Sequence, residues 1–192
     1  MPSPARPLGP VATAAAVAGL GFVVGLAGDA GHVASGTTRY EWPGIPTIWN
    51  SQVWFPFLVA GAVLAAAWSA ERVGVAIVRR RGRADAVTGA ALVLALYALT
   101  ALMRDVPATV SVVLTGALAV AIWSWWNPSA GAFALAAVAA VLGPAVEALI
   151  VALDGATYAD DALAGVAPWL PCLYFAAGSV AAGIWAAIAR DG

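Results

Sequence analysis

The strongest constraint in the sequence is a series of six long apolar stretches, separated by short segments that hold nearly all of the charged residues. The first, residues 8–28, carries no charge and is long enough to span about 30 Å of hydrocarbon. The sequence therefore predicts an all-α integral membrane protein that forms a single domain over residues 1–192. The remaining predicted spans are residues 53–70, 86–103, 108–126, 132–153 and 167–189.

The composition indicates that lipid is the main solvent of this chain. Hydrophobic residues make up 62% and charged residues 10% of the 192 residues, and the mean hydropathy is +0.89, well above that of a soluble domain. The six spans use nearly the whole length, so no separate soluble domain is expected. The net charge is −1 and the arginines are scattered or lie near span ends, so we expect no nucleic-acid partner.

The distribution of arginine predicts the orientation of the helices. All nine basic residues are arginine, and alanine is abundant, which indicates a GC-rich bacterial genome and hence a bacterial plasma membrane. When the N-terminus is placed in the cytoplasm, only Arg39 and Arg104 lie outside. The cytoplasmic side then holds Arg6, Arg72, Arg79, Arg80, Arg81, Arg83 and Arg190. Since positive residues concentrate on that side, both termini are predicted to be cytoplasmic.

The segments outside the spans have distinct compositions. Residues 29–52 are interpreted as a long, ordered external loop, because Pro43 and Pro46 disfavour a regular helix. Asp154, Asp160 and Asp161 mark an acidic loop before the last span. Tryptophan and tyrosine cluster near the span ends, where amphipathic rings suit the headgroup boundary, and most are interpreted as interfacial anchors.

One cysteine and one histidine restrict the possible chemistry. Cys172 and His32 cannot form an intrachain disulfide or a Cys/His metal cluster, so no metal site is predicted. Both residues fall on the outer side, with Asp29 one turn before His32, which leaves a nucleophilic dyad as a weak alternative. No nucleophile-elbow or phosphate-binding glycine pattern occurs in the sequence. We therefore expect no catalytic residue, no enzymatic activity and no cofactor other than bound lipid.

Glu147 is the one charged residue inside a predicted span. It lies three residues after Pro144, near the outer end of span five. Because a charged group in the membrane is costly, Glu147 is a functional candidate by default. Two interpretations stay open: Glu147 bonds a polar lipid headgroup or a backbone carbonyl, or it lies near enough to the interface to reach water.

Small residues recur in the spans and permit close helix packing. Gly21 and Gly25 are interpreted as packing within the bundle, and span six has a small-residue face that includes Gly178 and Gly183. Small residues combined with a few inward polar groups predict an apolar cavity for a small molecule. Each serine or threonine is individually expected to bond its own helix. The polar candidates are Tyr97, Thr100, Thr109, Ser111, Thr115, Ser124, Cys172 and Tyr174.

Three short segments resemble motifs of one membrane-protein family. Span six opens with Trp169-Leu170-Pro171-Cys172 and continues to Gly178, span two opens with Val53-Trp54-Phe55-Pro56, and Ile122-Trp123-Ser124-Trp125 is followed by Gly131-Ala132-Phe133. In order and spacing they are similar to the Insig (insulin-induced gene) family, whose last span begins with Trp-Leu-Pro-Cys. With the six-span layout, the resemblance covers nearly the whole chain.

The resemblance implies an Insig-like six-helix bundle that binds a sterol or another lipid, such as diacylglycerol, in an intramembrane cavity. Ligand contacts of the family carry over to Thr109, Val113 and Trp123, with Thr109 in place of a glutamine. Trp126 replaces the turn aspartate used for partner binding, so the animal partners Scap and HMG-CoA reductase are not implied, and a homo-oligomer (trimer or dimer) is expected instead. The candidate lipid-binding residues are Trp54, Tyr97, Thr109, Val113, Trp123, Glu147, Trp169 and Cys172.

Two other function classes stay open. The tryptophan-rich region from Trp42 to Pro56 is similar to the five-span tryptophan-rich sensory proteins, which bind porphyrin and cholesterol, although the sixth span opposes that interpretation. The second alternative is a small lipid-modifying enzyme or transporter. Turnover or uptake in proteoliposomes would distinguish it from a binding protein.

Overall fold

The structure, a computed structural model that describes residues 7–190, contains six long helices within that range. Each is long and apolar enough to cross a membrane, which confirms the predicted fold class. α4 has the predicted bounds, and α2 and α5 agree with the prediction to within two residues. Arg6 lies outside the described residues. The helices are α1 Pro10–Ser35, α2 Trp54–Arg72, α3 Arg83–Leu102, α4 Ala108–Trp126, α5 Ala130–Ala152 and α6 Leu170–Ala189.

α6 is the central helix of the bundle. It packs against each of the other five helices, and it is the most deeply buried of the six. Its small residues permit this, because a Cβ added at Gly178 would lie 2.7 Å from the Cβ of Ala139, and one added at Gly183 would lie 2.8 Å from Nε1 of Trp126. The predicted small-residue face of span six is therefore a packing surface within the chain.

α1 and α2 pack closely through the predicted glycine pair. A Cβ added at Gly25 would lie 2.7 Å from the Cβ of Val59, and one added at Gly21 would lie 3.1 Å from the Cβ of Val63. These contacts lie within one chain, which confirms that Gly21 and Gly25 serve packing inside the bundle.

α1 is longer than predicted and takes in residues that were assigned to the external loop. It continues beyond residue 28 to Ser35 because Asp29 and His32 are buried and have side-chain partners inside the protein. Gly36 ends the helix in the left-handed region with φ 72°, and the N–H of Thr37 bonds the carbonyl of His32 at 2.9 Å. The segment between α1 and α2 therefore begins about two turns later than predicted.

The first residues of α3 and α6 also differ from the prediction, by three positions each. α3 begins at Arg83 because the side chain of Asp85 accepts a 3.0 Å hydrogen bond from the N–H of Gly82, which caps the helix. α6 begins at Leu170 because residues 161–167 form tight turns, including a 3.0 Å bond from the N–H of Gly165 to the carbonyl of Asp161. Pro171 suits the first turn of α6, where its missing N–H has no helical partner to lose.

Two small antiparallel sheets lie at the end of the bundle opposite the arginine run. β1 Thr38–Tyr40 pairs with β4 Ala156–Tyr158, and β2 Thr47–Ile48 pairs with β3 Ser51–Gln52. The register places Thr38 opposite Tyr158 and Tyr40 opposite Ala156. Since alternate residues of a strand share a face, Tyr40 and Tyr158 both lie on the inner face of the β1–β4 ribbon.

A buried side chain helps to fasten the loop between α2 and α3. Asn127, which follows α4, accepts a 3.1 Å hydrogen bond from the N–H of Val78 and donates one of 3.1 Å to the carbonyl of Ala76. A side-chain amide can satisfy two backbone groups in this way because it carries both a donor and an acceptor. The arginine-rich loop is thereby tied to the end of α4.

Candidate functional site

Glu147 lies at the centre of a buried polar cluster near the β1–β4 end of the bundle. Its Oε1 accepts a 2.7 Å hydrogen bond from the hydroxyl of Tyr174 on α6, and its Oε2 accepts one of 2.8 Å from Tyr158 on β4. The ring of Tyr174 packs directly on Gly143, where an added Cβ would lie 2.2 Å from the ring. The glycine one turn before Glu147 therefore lets a tyrosine of the neighbouring helix reach the carboxyl group.

Neither of the two open interpretations of Glu147 describes this arrangement. The side chain is 6% exposed, and tyrosine hydroxyls bond both of its oxygens. A lipid headgroup would have to displace Tyr158 or Tyr174 to bond the carboxyl group. The assignment of Glu147 as a lipid contact stays a prediction, and its evident role is to connect α5, α6 and β4.

A second carboxyl group has a similar partner. Asp29 on α1 is buried, and its Oδ2 accepts a 2.7 Å hydrogen bond from the hydroxyl of Tyr40 on β1. Burial, together with the nearby carboxyl groups of Asp29 and Glu147, raises the pKa of Tyr40 far above its ordinary value. Burial and Glu147 raise the pKa of Tyr158 in the same direction. Both phenols of the ribbon are therefore neutral donors that face buried acids.

His32 forms a third polar contact, between α1 and α3. Its Nε2 lies 2.8 Å from Oγ1 of Thr100, and the same hydroxyl donates a 2.8 Å hydrogen bond to the carbonyl of Tyr97. Because the hydroxyl proton is used in that way, His32 Nε2 is assigned as the donor to Thr100. The imidazole lies between the rings of Tyr97 and Trp169, with both centroids at 5.1 Å.

Cys172 and His32 have separate environments. The thiol is half-buried on α6, 3.9 Å from the carbonyl oxygen of Val112, and it packs near Gly116 on α4. His32 instead bonds Thr100 on α3. The two side chains thus have different hydrogen-bond partners, and the nucleophilic dyad considered from the sequence is not formed as a bonded pair in residues 7–190.

An apolar groove runs along the outward face of α4. It has a volume of about 370 Å³ and is lined by Thr109, Val110, Val113, Leu114 and Ala117. Two of the predicted ligand contacts, Thr109 and Val113, therefore share one surface. The Thr109 hydroxyl is the one polar side-chain group among these residues.

The other predicted site residues lie in different parts of the bundle. Trp54 donates a 2.7 Å hydrogen bond to Gln52, and its ring packs edge to face with that of Tyr40 at the β1–β4 end of the bundle. Trp123, at the other end of α4, packs with its ring 5.5 Å from that of Phe133. The eight candidates therefore do not surround one common cavity. They divide among the α4 groove, the buried core and the two ends of the bundle.

The fold has a solved counterpart with clear sequence similarity. An Insig protein homologue from Mycolicibacterium vanbaalenii is 40% identical to this chain over 170 residues, which is 85% of this chain and 80% of the relative. The crystal structure of a mycobacterial Insig homologue, MvINS from Mycobacterium vanbaalenii, matches with a TM-score of 0.85 at 36% identity, covering 97% of this chain and 98% of that one. The chain belongs to the Insig family.

A structure of a cross-linked MvINS trimer, carrying an arginine-to-cysteine substitution, matches this chain with the same TM-score and identity. No protein-family model matches the chain. Membership of the Insig family and the six helices favour the Insig interpretation over the five-span tryptophan-rich alternative.

The Insig-like motif at the start of α6 has a structural basis in this chain. Trp169 immediately precedes the helix and is 3% exposed, with its ring against His32. Leu170 is buried, Pro171 occupies the first turn, and Cys172 faces α4. The motif therefore joins α6 to α1 on one side and to α4 on the other.

The two tyrosines of the β1–β4 ribbon were not predicted from the sequence to be part of the polar cluster. Tyr40 and Tyr158 are among the aromatic residues near span ends, most of which were predicted to be interfacial anchors, whereas both bond buried acids. The sequence does contain a signal for them: two acids near span ends, Asp29 and Glu147, are each followed eleven residues later by a tyrosine. The expectation that serines and threonines bond their own helix is confirmed for Ser111 and Ser124, at 2.9 and 3.0 Å. It is wrong for Thr115, whose buried hydroxyl has no hydrogen-bond partner among residues 7–190.

Proposed function

We propose that this Insig-family protein is a non-enzymatic membrane protein that binds a neutral lipid along α4. The supporting observation is the apolar groove of about 370 Å³ that contains both Thr109 and Val113. The groove lies on a membrane-facing surface, where Val110 and Val113 are 52% and 65% exposed, so a lipid can reach it from within the bilayer.

The chemistry of the groove favours a lipid with a small, uncharged polar group. Its described lining contains no charged side chain, and the hydroxyl of Thr109 lies in the first turn of α4, near one membrane boundary. A hydroxyl can both donate and accept, so it suits the hydroxyl of a sterol or of diacylglycerol. The apolar residues Val113 and Ala117, further along α4, suit a ring system or an acyl chain.

A bulky substitution in the groove tests the proposal. Val113→Trp fills the groove and is expected to reduce photocrosslinking to a diacylglycerol or sterol probe about fivefold, the change produced by a loss of about 1 kcal/mol. Val141→Trp is the matched control, because Val141 is 68% exposed on α5 and does not line the groove. Equal labelling of both variants and of the unmodified chain would refute binding at α4.

We further propose that the arginine end of the bundle faces the cytoplasm and that the chain forms a homo-oligomer. The positive-inside rule supports the orientation. The solved trimer of the Insig homologue MvINS supports the oligomer. Labelling of single cysteines in intact cells, at position 80 in the arginine loop and position 157 on the ribbon, is expected to mark position 157 only. Detergent-corrected light scattering is expected to give a mass greater than that of one chain.

A further inference from the structure

The arginine end of the bundle has a shallow recess that the α4 groove does not explain. It is a surface depression bounded by the ends of α4 and α6 and by the loop between α2 and α3, and it encloses no space large enough for a water molecule. Arg79, Arg81 and Arg190 line it together with Trp126, and none of the described lining residues is acidic.

Arg81 is held in a fixed position beside this recess. Its Nη2 donates to the carbonyl oxygen of Trp125, its Nη1 lies 3.3 Å from Oδ1 of Asp85, and its guanidinium carbon lies 4.2 Å from the centre of a Trp125 ring. Its Nε–H is buried and has no acceptor among the described residues. A guanidinium held in this way has lost its conformational freedom before any ligand arrives.

The other lining residues supply more unused donors. Arg79 donates one 3.2 Å hydrogen bond to the carbonyl of Trp125, which leaves most of its exposed N–H groups for a ligand. Arg190 is exposed, and no hydrogen bond or ion pair of its side chain occurs within residues 7–190. Trp126 is 1% exposed, and its Nε1–H has no acceptor in the described part of the chain.

We propose that this recess binds the phosphate group of an anionic ligand. Three arginines line it, and the planar N–H pairs of a guanidinium group match phosphate oxygens in geometry and charge. Asp85 is paired with Arg81, and within residues 7–190 no ion pair joins an acid to Arg79 or Arg190. Because the recess is shallow, the phosphate lies across its mouth, with the rest of the ligand outside.

The position of the recess favours a phospholipid headgroup as the source of the phosphate. It lies where α4 and α6 end and where the arginine loop lies against the bundle, which is the depth of lipid headgroups for helices that span the bilayer. Basic recesses between helix ends are typical sites for anionic lipids. A free phosphate ion offers the same chemistry, so the experiment must separate the two sources.

The test is native mass spectrometry of the full chain in mild detergent, with phosphatidylglycerol and phosphatidylcholine of identical acyl chains. We expect a preference of about tenfold for phosphatidylglycerol, which Arg79→Gln combined with Arg190→Gln abolishes. The matched control combines Arg72→Gln with Arg80→Gln, which removes the same charge at the same end from residues outside the recess. The control is expected to change the preference by less than about twofold.

Two outcomes would overturn the proposal. One is no lipid preference in the unmodified chain. The other is an equal loss of preference in the two double variants, which would indicate surface charge alone.

Inorganic phosphate is added as a competitor to identify the source of the phosphate group. Displacement at about millimolar phosphate supports the site with the free ion as its ligand, and retention supports the lipid. Arg79 and Arg190 are exposed, so unchanged thermal unfolding is the check that the variant remains folded.

Discussion

The hydroxyl of Tyr158 on β4 donates a 2.8 Å hydrogen bond to the carboxyl group of Glu147, eleven residues earlier on α5. This bond joins the β1–β4 ribbon to the helical bundle. Tyr40 makes the equivalent bond from β1 to Asp29 on α1, also across eleven residues. The ribbon is therefore attached to two different helices by phenol–carboxyl pairs, and its two strands are paired with each other.

Removing the Glu147 carboxyl group is expected to destabilise the fold strongly. Glu147→Ala leaves the hydroxyls of Tyr158 and Tyr174 without their acceptor, at a cost of about 3 kcal/mol. Denaturant unfolding in detergent micelles would measure the change in free energy. Thr157→Ala, on the exposed face of the same strand, is the control and is expected to cost less than about 0.5 kcal/mol. Similar values for the two variants would contradict this role of Glu147.

Alkaline pH is expected to weaken the attachment of the ribbon. The pKa values of Tyr40 and Tyr158 are raised in the folded chain, so these phenols stay protonated while those of the unfolded chain ionise. Their contribution to stability is complete below about pH 10 and declines as the pH rises above that value. Apparent melting temperatures should therefore be constant from about pH 7 to about pH 9 and fall steeply beyond about pH 10.

The double variant Tyr40→Phe and Tyr158→Phe provides the comparison for this pH profile. It should melt at a lower temperature near neutral pH, because both acids lose a donor. Its melting temperature should then decline less between about pH 9 and about pH 11, since two of the shifted phenols are gone. Parallel profiles for the variant and the unmodified chain would show that other groups control the alkaline transition.

The close contact of Gly28 with Tyr97 predicts a sharp difference between two glycines of α1. A Cβ at Gly28 would lie 2.5 Å from the tyrosine ring, whereas one at Gly31 would meet nothing within 4 Å. Gly28→Ala is expected to cost about 2 kcal/mol through overpacking. Gly31→Ala is expected to be neutral or to stabilise by up to about 1 kcal/mol, through the higher helix propensity of alanine. Thermal unfolding of both variants tests the pair, and equal effects would contradict the packing described.

Loss of Asn127 is expected to release the arginine loop while leaving the helices in place. Asn127→Ala removes both side-chain bonds to residues 76 and 78. Trypsin should then cleave after Arg79, Arg80 or Arg81 about tenfold faster, which corresponds to about 1.4 kcal/mol of lost local stability. Ser124→Ala is a suitable control, because Ser124 is exposed and bonds only within its own helix. An unchanged cleavage rate for Asn127→Ala would show that other contacts hold the loop.

The bundle itself could be predicted from the sequence because membrane solvation acts locally. A stretch such as residues 108–126 has to be a helix in lipid, where each backbone group needs a partner, and α4 has those bounds. The close packing of Gly21, Gly25 and Gly178 could also be predicted, since small residues permit helices to approach.

The extended end of α1 and the ribbon could not be predicted in the same way. Asp29 and His32 lower the local hydropathy, and only their distant partners explain why the helix continues past them. Thr38 pairs with Tyr158, and the four helices α2 to α5 lie between these two residues in the sequence. No local periodicity encodes such a pairing. The division of the predicted lipid contacts among separate regions is equally a product of tertiary packing, because Thr109 and Trp123 lie at opposite ends of one helix.

The connections of Glu147 have a consequence for biosynthesis. The chain is made from its N-terminus, so α5 is complete before Tyr158 and Tyr174, which lie eleven and 27 residues after Glu147, have been added. β1 likewise has no strand to pair with until β4 has been made. During that interval the acid in the fifth helix has no phenol to bond, and an unpaired acid is costly in hydrocarbon. Stable insertion of the fifth helix is therefore a late event. It is completed when β4, which carries Tyr158, and the first turns of the sixth helix have left the ribosome.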